Sequence, residues 1–398
     1  MELIEENVQY RLYDRRSNFR KFNEFAFPEE IFSLSLKYNL MDKTEVISAN
    51  TDFSLTTFKI QNEGFTPDLE FKGHADRISE VKFSDINDEH LQNAVISVSY
   101  DKTLKLWDKR AAECIFSVNS PNSRELYCVD NTGKQIIAGS HESVMIWDLR
   151  KMKVLHHFTE LHCDEVTKVE YSASNPNLIL TSGEDCVCNL LDLENAEKED
   201  DYVEATYTSE QPLASCGFIG DTGLAYLITS INTVEILSLE TMLPVKTLDN
   251  FDYDINYAIQ AQFLDDRMLF FMGNNLGEAY IYQYDKEHND FQFLDMILTS
   301  DQDSADPEST ESIVIRNAFC IDQENIAVST DRGDLYHYRH NPEEEEKTSL
   351  EINHEFKIEA SKEEHQNGVL EENEEIIEDT QESCEARQAR KKRRFKPF

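Results

Sequence analysis

Three segments of this chain end alike, in a short apolar strand that closes on an aspartate, and they recur at nearly constant spacing. The closing residues are Asp108, Asp148 and Asp192, separated by 40 and 44 residues. A fixed period of that size marks a repeat architecture in which each unit is one small sheet. A lone sheet of this kind cannot bury both faces, so the units must stack on one another. The clearest unit, GHADRISEVKFSDINDEHLQNAVISVSYDKTLKLWDKR, occupies residues 73–110. It reads as Gly-His, a strand, a loop, a strand, a tight turn at 100–102 and a strand ending in Trp107-Asp108. A fourth short strand over 114–118 completes it. A second copy starts at Leu161-His162 and ends at Asp192-Leu193, and a weaker one ends in SVMIWDLR at Trp147-Asp148.

Fainter units fill the rest, over residues 31–60, 213–239, 258–284 and 312–340. The total predicts an all-β chain of seven four-stranded blades, a common number for a β-propeller. A propeller must close its ring, and residues 8–25, rich in Tyr and Phe, are available to complete the last blade and cover an open edge. The predicted organisation is a propeller over 1–341, an acidic disordered tail over 342–386 and a basic tail over 387–398.

The pattern GH…SxSYDKTLKLWD resembles the WD40-repeat family of β-propellers. That resemblance implies a structural hydrogen-bond tetrad of His74, Ser97, Asp101 and Trp107, with His74 bridging Asp101 and Ser97, and Ser97 reaching the Trp107 indole. The same residue types could serve nucleophilic catalysis; their spacing fits the tetrad. Of its four members the second copy keeps His162, Thr181 and Asp185, and Leu191 replaces its Trp. In SHESVMIWD the Asp position falls on His141, and the later blades, lacking the set, are expected to rely on strand packing. By the same analogy Arg77, Tyr100, Glu165 and Glu184 sit near the rim of one face and are candidate protein contacts. Residues 181–220 are further similar to the WD repeat-containing protein 89 family, whose blade ends in a V-N-x-F-D-like strand followed by an acidic segment and a Ser-rich strand. Here 187–192, 199–201 and 213–218 correspond, with VCNLLD for the strand and only Ser215 in the last segment. That family is regarded as nuclear and without known catalysis.

Charge narrows the function further. The net charge is −40, and residues 342–398, with 17 acidic and ten basic side chains, account for only −7 of it. The propeller itself is therefore strongly acidic and repels phosphate backbones; the charge serves either to attract basic proteins or merely to aid solubility. Residues 342–385 cannot bury enough apolar surface to fold. The cluster Arg390, Lys391, Lys392, Arg393 and Arg394 suits a nuclear import signal, with RNA contact or pairing with the acidic tail as the other readings. No apolar run is long enough for a membrane span, and no secretory signal is expected. Eight cysteines in such a chain read as reduced thiols. Cys186 and Cys188, two apart, would share one strand face. His156-His157 lies in an alternating strand with one imidazole toward solvent. No phosphate-loop, zinc-protease or nucleophile-elbow motif occurs. The expected protein is a nuclear, non-enzymatic, protein-binding scaffold with no cofactor, metal, small-molecule substrate or membrane contact, and with basic proteins among its partners. The alternative is a dedicated chaperone for a basic client such as a ribosomal protein or histone.

Overall fold

The computed structural model describes residues 17–28, 31–39, 44–61, 64–84, 94–149, 151, 153–194, 202–249, 251, 255–299 and 313–340. The acidic and basic tails expected over 342–398, and residues 199–201, lie outside the described residues. Strand β1 (Phe19–Ala26) precedes the first blade, which consists of β2 (Ser33–Tyr38), β3 (Glu45–Asn50), β4 (Leu55–Gln61) and β5 (Gly64–Phe71). Blade 2 is β6 (Ile78–Phe83), β7 (Ala94–Ser99), β8 (Thr103–Asp108) and β9 (Glu113–Asn119). Blade 3 is β10 (Leu126–Asn131), β11 (Gln135–Ser140), β12 (Val144–Asp148) and β13 (Lys153–Phe158). Blade 4 is β14 (Val166–Tyr171), β15 (Leu178–Gly183), β16 (Val187–Asp192) and β17 (Val203–Thr208). Blade 5 is β18 (Leu213–Phe218), β19 (Leu224–Thr229), β20 (Val234–Ser238) and β21 (Leu243–Leu248). Blade 6 is β22 (Tyr257–Leu264), β23 (Arg267–Gly273), β24 (Glu278–Asp285) and β25 (Asp290–Leu298). Blade 7 joins β26 (Ile315–Cys320), β27 (Asn325–Thr330) and β28 (Asp334–His340) to β1 from the other end of the chain. All seven sheets are antiparallel, so the fold is a seven-bladed β-propeller.

Burial follows each strand's place in its blade. The second strands, such as β3 and β7, are buried along their whole length. Neighbouring blades cover both of their faces, which is why EVISAN and AVISVS lack the alternation of a half-exposed strand. Outer strands such as β17 alternate between exposed and half-buried positions. The core of the described residues divides into seven apolar clusters, one at each junction between consecutive blades. Trp107 fills the junction of blades 1 and 2, and Trp147 that of blades 2 and 3. Cys186 does not share a strand face with Cys188, because it sits in the turn before β16 with φ of 66°. The turn takes a left-handed residue there, as it does at Lys102 with φ of 69°. His157 is exposed, while His156 is half-buried and stacks on Phe158 at 5.7 Å.

The innermost strands are laced to one another around the axis. The Val129 N–H donates to Glu80 at 2.8 Å, that of Tyr171 to Asp130 at 2.8 Å and that of Phe218 to Glu170 at 3.0 Å. The Gln262 amide exchanges two bonds with the backbone of Cys320, and Asn317 accepts from the Leu36 N–H at 3.2 Å. Between blades 5 and 6 the link comes from a turn: Asn232 donates to the Asn256 carbonyl at 2.8 Å and accepts from the Ala258 N–H at 2.9 Å. In all seven blades the innermost strand carries an extra residue near its start, from Leu34 in β2 to Arg316 in β26, at the second position in six of them and at the third, Ile259, in β22. A bulge of this kind re-aims a side chain.

The ring closes where β1 pairs antiparallel with β28, from Phe19 opposite His340 to Ala26 opposite Asp334. Cation–π contacts zip the seam, with Lys21 4.7 Å from the Tyr336 centroid and Arg339 3.9 Å from that of Phe22. Gly64, at φ of 109°, lies so close to Asn23 of β1 that a Cβ would overlap its side chain. His337 is buried in this seam, edge-on to Phe22 and 2.9 Å through Nε2 from the Asn325 amide oxygen. Its Nδ1 is buried with no partner. Burial, and then the charge of Arg339, lower its pKa from 6.5 to about 4, although Asp322 opposes the shift. Protonation would place a proton on an unpartnered nitrogen beside a guanidinium. Because the folded-state pKa is depressed, the contribution of neutral His337 is complete above pH 6.5 and is lost as pH falls toward 4. His337→Gln is expected to flatten the fall in melting temperature between these pH values. A slope identical to the parent chain's would refute this assignment.

Candidate protein-binding face

The loops entering each blade and the turns between its second and third strands lie at the same end of the ring, since the second strand runs antiparallel to the entering strand and so ends beside its start. Beneath this face, blade 2 holds a continuous polar chain. His74 Nδ1 lies 2.8 Å from Asp101 Oδ2, His74 Nε2 lies 2.7 Å from Ser97 Oγ, and the Trp107 indole donates to Ser97 Oγ at 2.8 Å. The proton assignment follows from donor counting. The Asp101 carboxylate can only accept, so Nδ1 carries the ring proton; Nε2 of a neutral ring then accepts from the Ser97 hydroxyl, whose oxygen accepts from Trp107. Asp101 also accepts from the Ala75 N–H and from the backbone and hydroxyl of Thr103. Burial pushes its carboxyl pKa up, but the bonds from His74, Thr103 and Ala75 outweigh this and hold it far below the usual range. Gly73, at φ of 151°, brings the chain against the Trp107 ring. The Ser97 hydroxyl belongs to a fully buried residue. The arrangement braces a turn; it does not present a nucleophile to a substrate.

Blade 4 repeats three members, with His162 Nδ1 3.1 Å from Asp185 and Nε2 2.9 Å from Thr181 Oγ1. Leu191 pairs with Ile179 as Trp107 pairs with Val95, so it occupies the indole position. Blade 3 keeps its tryptophan but not the acceptor. Ala138 stands in register where blade 2 has Ser97, and the buried Trp147 N–H has no partner. Blades without the tetrad do not rely on strand packing alone. Asn122 bonds Ser140 and Ser143 in blade 3, Asn50 bonds Ser48, Ser54 and Thr56 in blade 1, and Asn274 with Tyr280 bonds Glu278 in blade 6. These short polar residues sit at strand ends without a shared spacing, which is why the sequence pattern did not expose them.

On the surface above, the Arg77 guanidinium lies 5.5 Å over the Tyr100 ring, and Tyr100 meets Tyr127 edge-on at 5.6 Å. Tyr127 is the extra residue in the β10 bulge and hydrogen-bonds Glu165; burial and this bond raise its pKa well above the ordinary value. Arg77, Tyr100 and Glu165 are thus joined through Tyr127, which sequence reasoning missed. Glu184 is exposed and adjacent, its N–H bonded to the Glu165 carbonyl. Glu142, Glu160, Asp164 and Glu210 stand on the neighbouring loops, with Arg77, Lys102 and Arg124 as the cations near this arc. Among the described residues no three His, Cys, Asp or Glu side chains converge as a metal site. Arg390 to Arg394 lie outside the described residues.

Asp101→Ala removes the acceptor for three backbone or side-chain donors and for His74. It is expected to lower unfolding free energy by about 1–3 kcal/mol in chemical denaturation, the cost of buried groups left unsatisfied. An unchanged denaturation midpoint would mean that the chain carries no stability.

Comparison with known proteins bears on both the fold and this face. The family model of the WD domain, G-beta repeat, matches residues 65–108. The chain is 27% identical over 223 residues to WD repeat-containing protein 89 homolog of Dictyostelium discoideum, covering 53% of this chain and 60% of that protein. It is 26% identical over 251 residues to WD repeat-containing protein GTS1 of Arabidopsis thaliana, covering 60% and 62% respectively. It is 28% identical over 178 residues to histone acetyltransferase type B subunit 2 of Candida glabrata, covering 42% and 41%. The matched region thus spans about three-fifths of the length of the first two relatives. Seven four-stranded blades make this chain a seven-bladed β-propeller, and its second blade carries a WD40 repeat with the polar chain complete.

Proposed function

We propose that this chain is a non-enzymatic scaffold that binds a basic protein through the arc formed by blades 2 to 4. The observation that carries the reading is the linked row Arg77, Tyr100, Tyr127 and Glu165, bordered by Glu142, Asp164 and Glu184. Arginine and tyrosine held rigidly on a surface are the residue types that dominate protein interfaces. Tyrosine adds large contact area at low entropic cost, because it has few rotors to freeze. The surrounding carboxylates select a basic partner and speed its encounter, an effect that salt screens. Similarity to WD40 proteins supports a protein-interaction role, and one relative is by name a subunit of a histone acetyltransferase. Tyr100→Ala should abolish co-purification of the endogenous partner while leaving the melting temperature within a degree or so. Retention of the partner would place the interface elsewhere.

The net charge of −40 also favours a second reading, a chaperone for one basic client. The same purification separates them, since a single highly basic protein at equal stoichiometry supports the chaperone and a stable multi-subunit complex supports the scaffold. We further propose nuclear localisation, motivated by Arg390, Lys391, Lys392, Arg393 and Arg394. A fluorescent reporter carrying residues 387–398 is expected to concentrate in the nucleus; even distribution through the cell would reject the signal.

A further inference from the structure

The central channel widens into a cavity of about 530 Å³ on the side of blades 5 and 6. There β22 is half-buried from Tyr257 to Gln262, whereas the equivalent β10 is buried at five of its six positions. In a chain whose surface is overwhelmingly acidic, this cavity is lined by Lys37, Lys82, Lys168 and Arg316, with Glu170 as the acid among its lining residues. We propose that the channel is a binding site for a small oxyanion carrying two or more negative charges, held by Lys37 and Arg316.

Glu80 and Asp130 are already occupied by lysines and backbone donors. One oxygen of Glu80 accepts from Lys168 at 2.5 Å and the other from the Val129 N–H. Asp130 takes Lys82 at 2.7 Å together with the Asn131 and Tyr171 N–H groups, and Glu170 takes the Phe218 N–H. Among the described residues Lys37 reaches only the Glu80 oxygen that Lys168 holds, at 3.9 Å. An ammonium has three donors and no acceptor capacity, so Lys37 retains donors that the protein leaves unfilled. Arg316 is exposed, in the bulge position of β26, with its guanidinium 5.7 Å over the Phe32 ring. Stacking uses its face and leaves its in-plane donors for a fork-shaped acceptor such as phosphate or carboxylate. The Gln260 side chain, half-buried in the same wall, has no hydrogen-bond partner among the described residues and supplies a further donor. Burial, and then the charge of Lys168, bring the Lys37 pKa down to about 8. A bound anion would relieve both costs.

The test is isothermal titration calorimetry of the full chain at low salt, with pyrophosphate and succinate as probes. Saturable binding of either probe, weakened at least tenfold by Lys37→Gln and by Arg316→Gln but not by Lys151→Gln, is the expected result. Lys151 is an exposed loop lysine and controls for overall charge. The tighter of the two probes assigns phosphate or dicarboxylate chemistry. No saturable heat up to about 10 mM, or an equal loss in all three variants, would overturn the proposal. If Lys37→Gln shifts the melting temperature, the exposed Arg316→Gln gives the reading alone. The site is independent of the proposed rim, so Tyr100→Ala should leave probe binding unchanged.

Discussion

Pairing of β1 with β28 is the constraint on which the other junctions depend. Each blade buries its two faces only against neighbours, so a stack of blades with free ends would expose two sheet faces and an open edge. Joining residues near the start of the described chain to its last strand turns seven weakly self-sufficient sheets into one closed structure. The closure is made of unlike interactions: backbone pairing, cation–π contacts at Lys21 and Arg339, and a glycine at 64 that makes room for Asn23. It also houses His337, an ionisable group buried where it must be neutral, so the seam couples ring integrity to pH.

Around the axis a different logic holds. Inner strands have one edge facing the channel, and their backbone donors there need partners. Side chains of Glu80, Asp130, Glu170, Gln262 and Asn317 provide them from the preceding blade. Placing three carboxylates near the axis requires compensating charge, because an isolated buried charge is costly. Lys168 and Lys82 supply it directly. Burial pushes the Glu80 carboxyl up, but Lys168, Lys37 and Lys82 together hold it down to about 2. With Lys37 and Arg316 the four cations exceed the three carboxylates by one charge, and that surplus beside an open cavity distinguishes the channel from a merely neutralised core.

The tetrad and the rim are two levels of one device. Bonds from His74 to Asp101 and Ser97 fix the turn that carries Tyr100, and the loop through Arg77 is anchored at His74. A rigid turn loses little entropy when its tyrosine is covered by a partner. Blade 4 braces Glu184 through His162 and Asp185 in the same way, with Leu191 replacing the indole by packing alone.

Period and strand alternation were sufficient to read seven blades from the sequence, and the resemblance of the Gly-His to Trp-Asp pattern to WD40 repeats implied the members of the tetrad. The reason is locality: tetrad bonds join residues 27, 23 and 10 apart, within one sheet whose register the turns set. What lay between blades was not legible. Lys168 meets Glu80 across 88 residues and Asn317 meets Leu36 across 281. Tyr127 joins the rim only because a bulge turns it toward Tyr100. Charge counting gave an acidic chain but could not reveal a cationic channel inside it. Net charge sums over all residues, whereas the field in a cavity depends on which few side chains the closed ring directs inward.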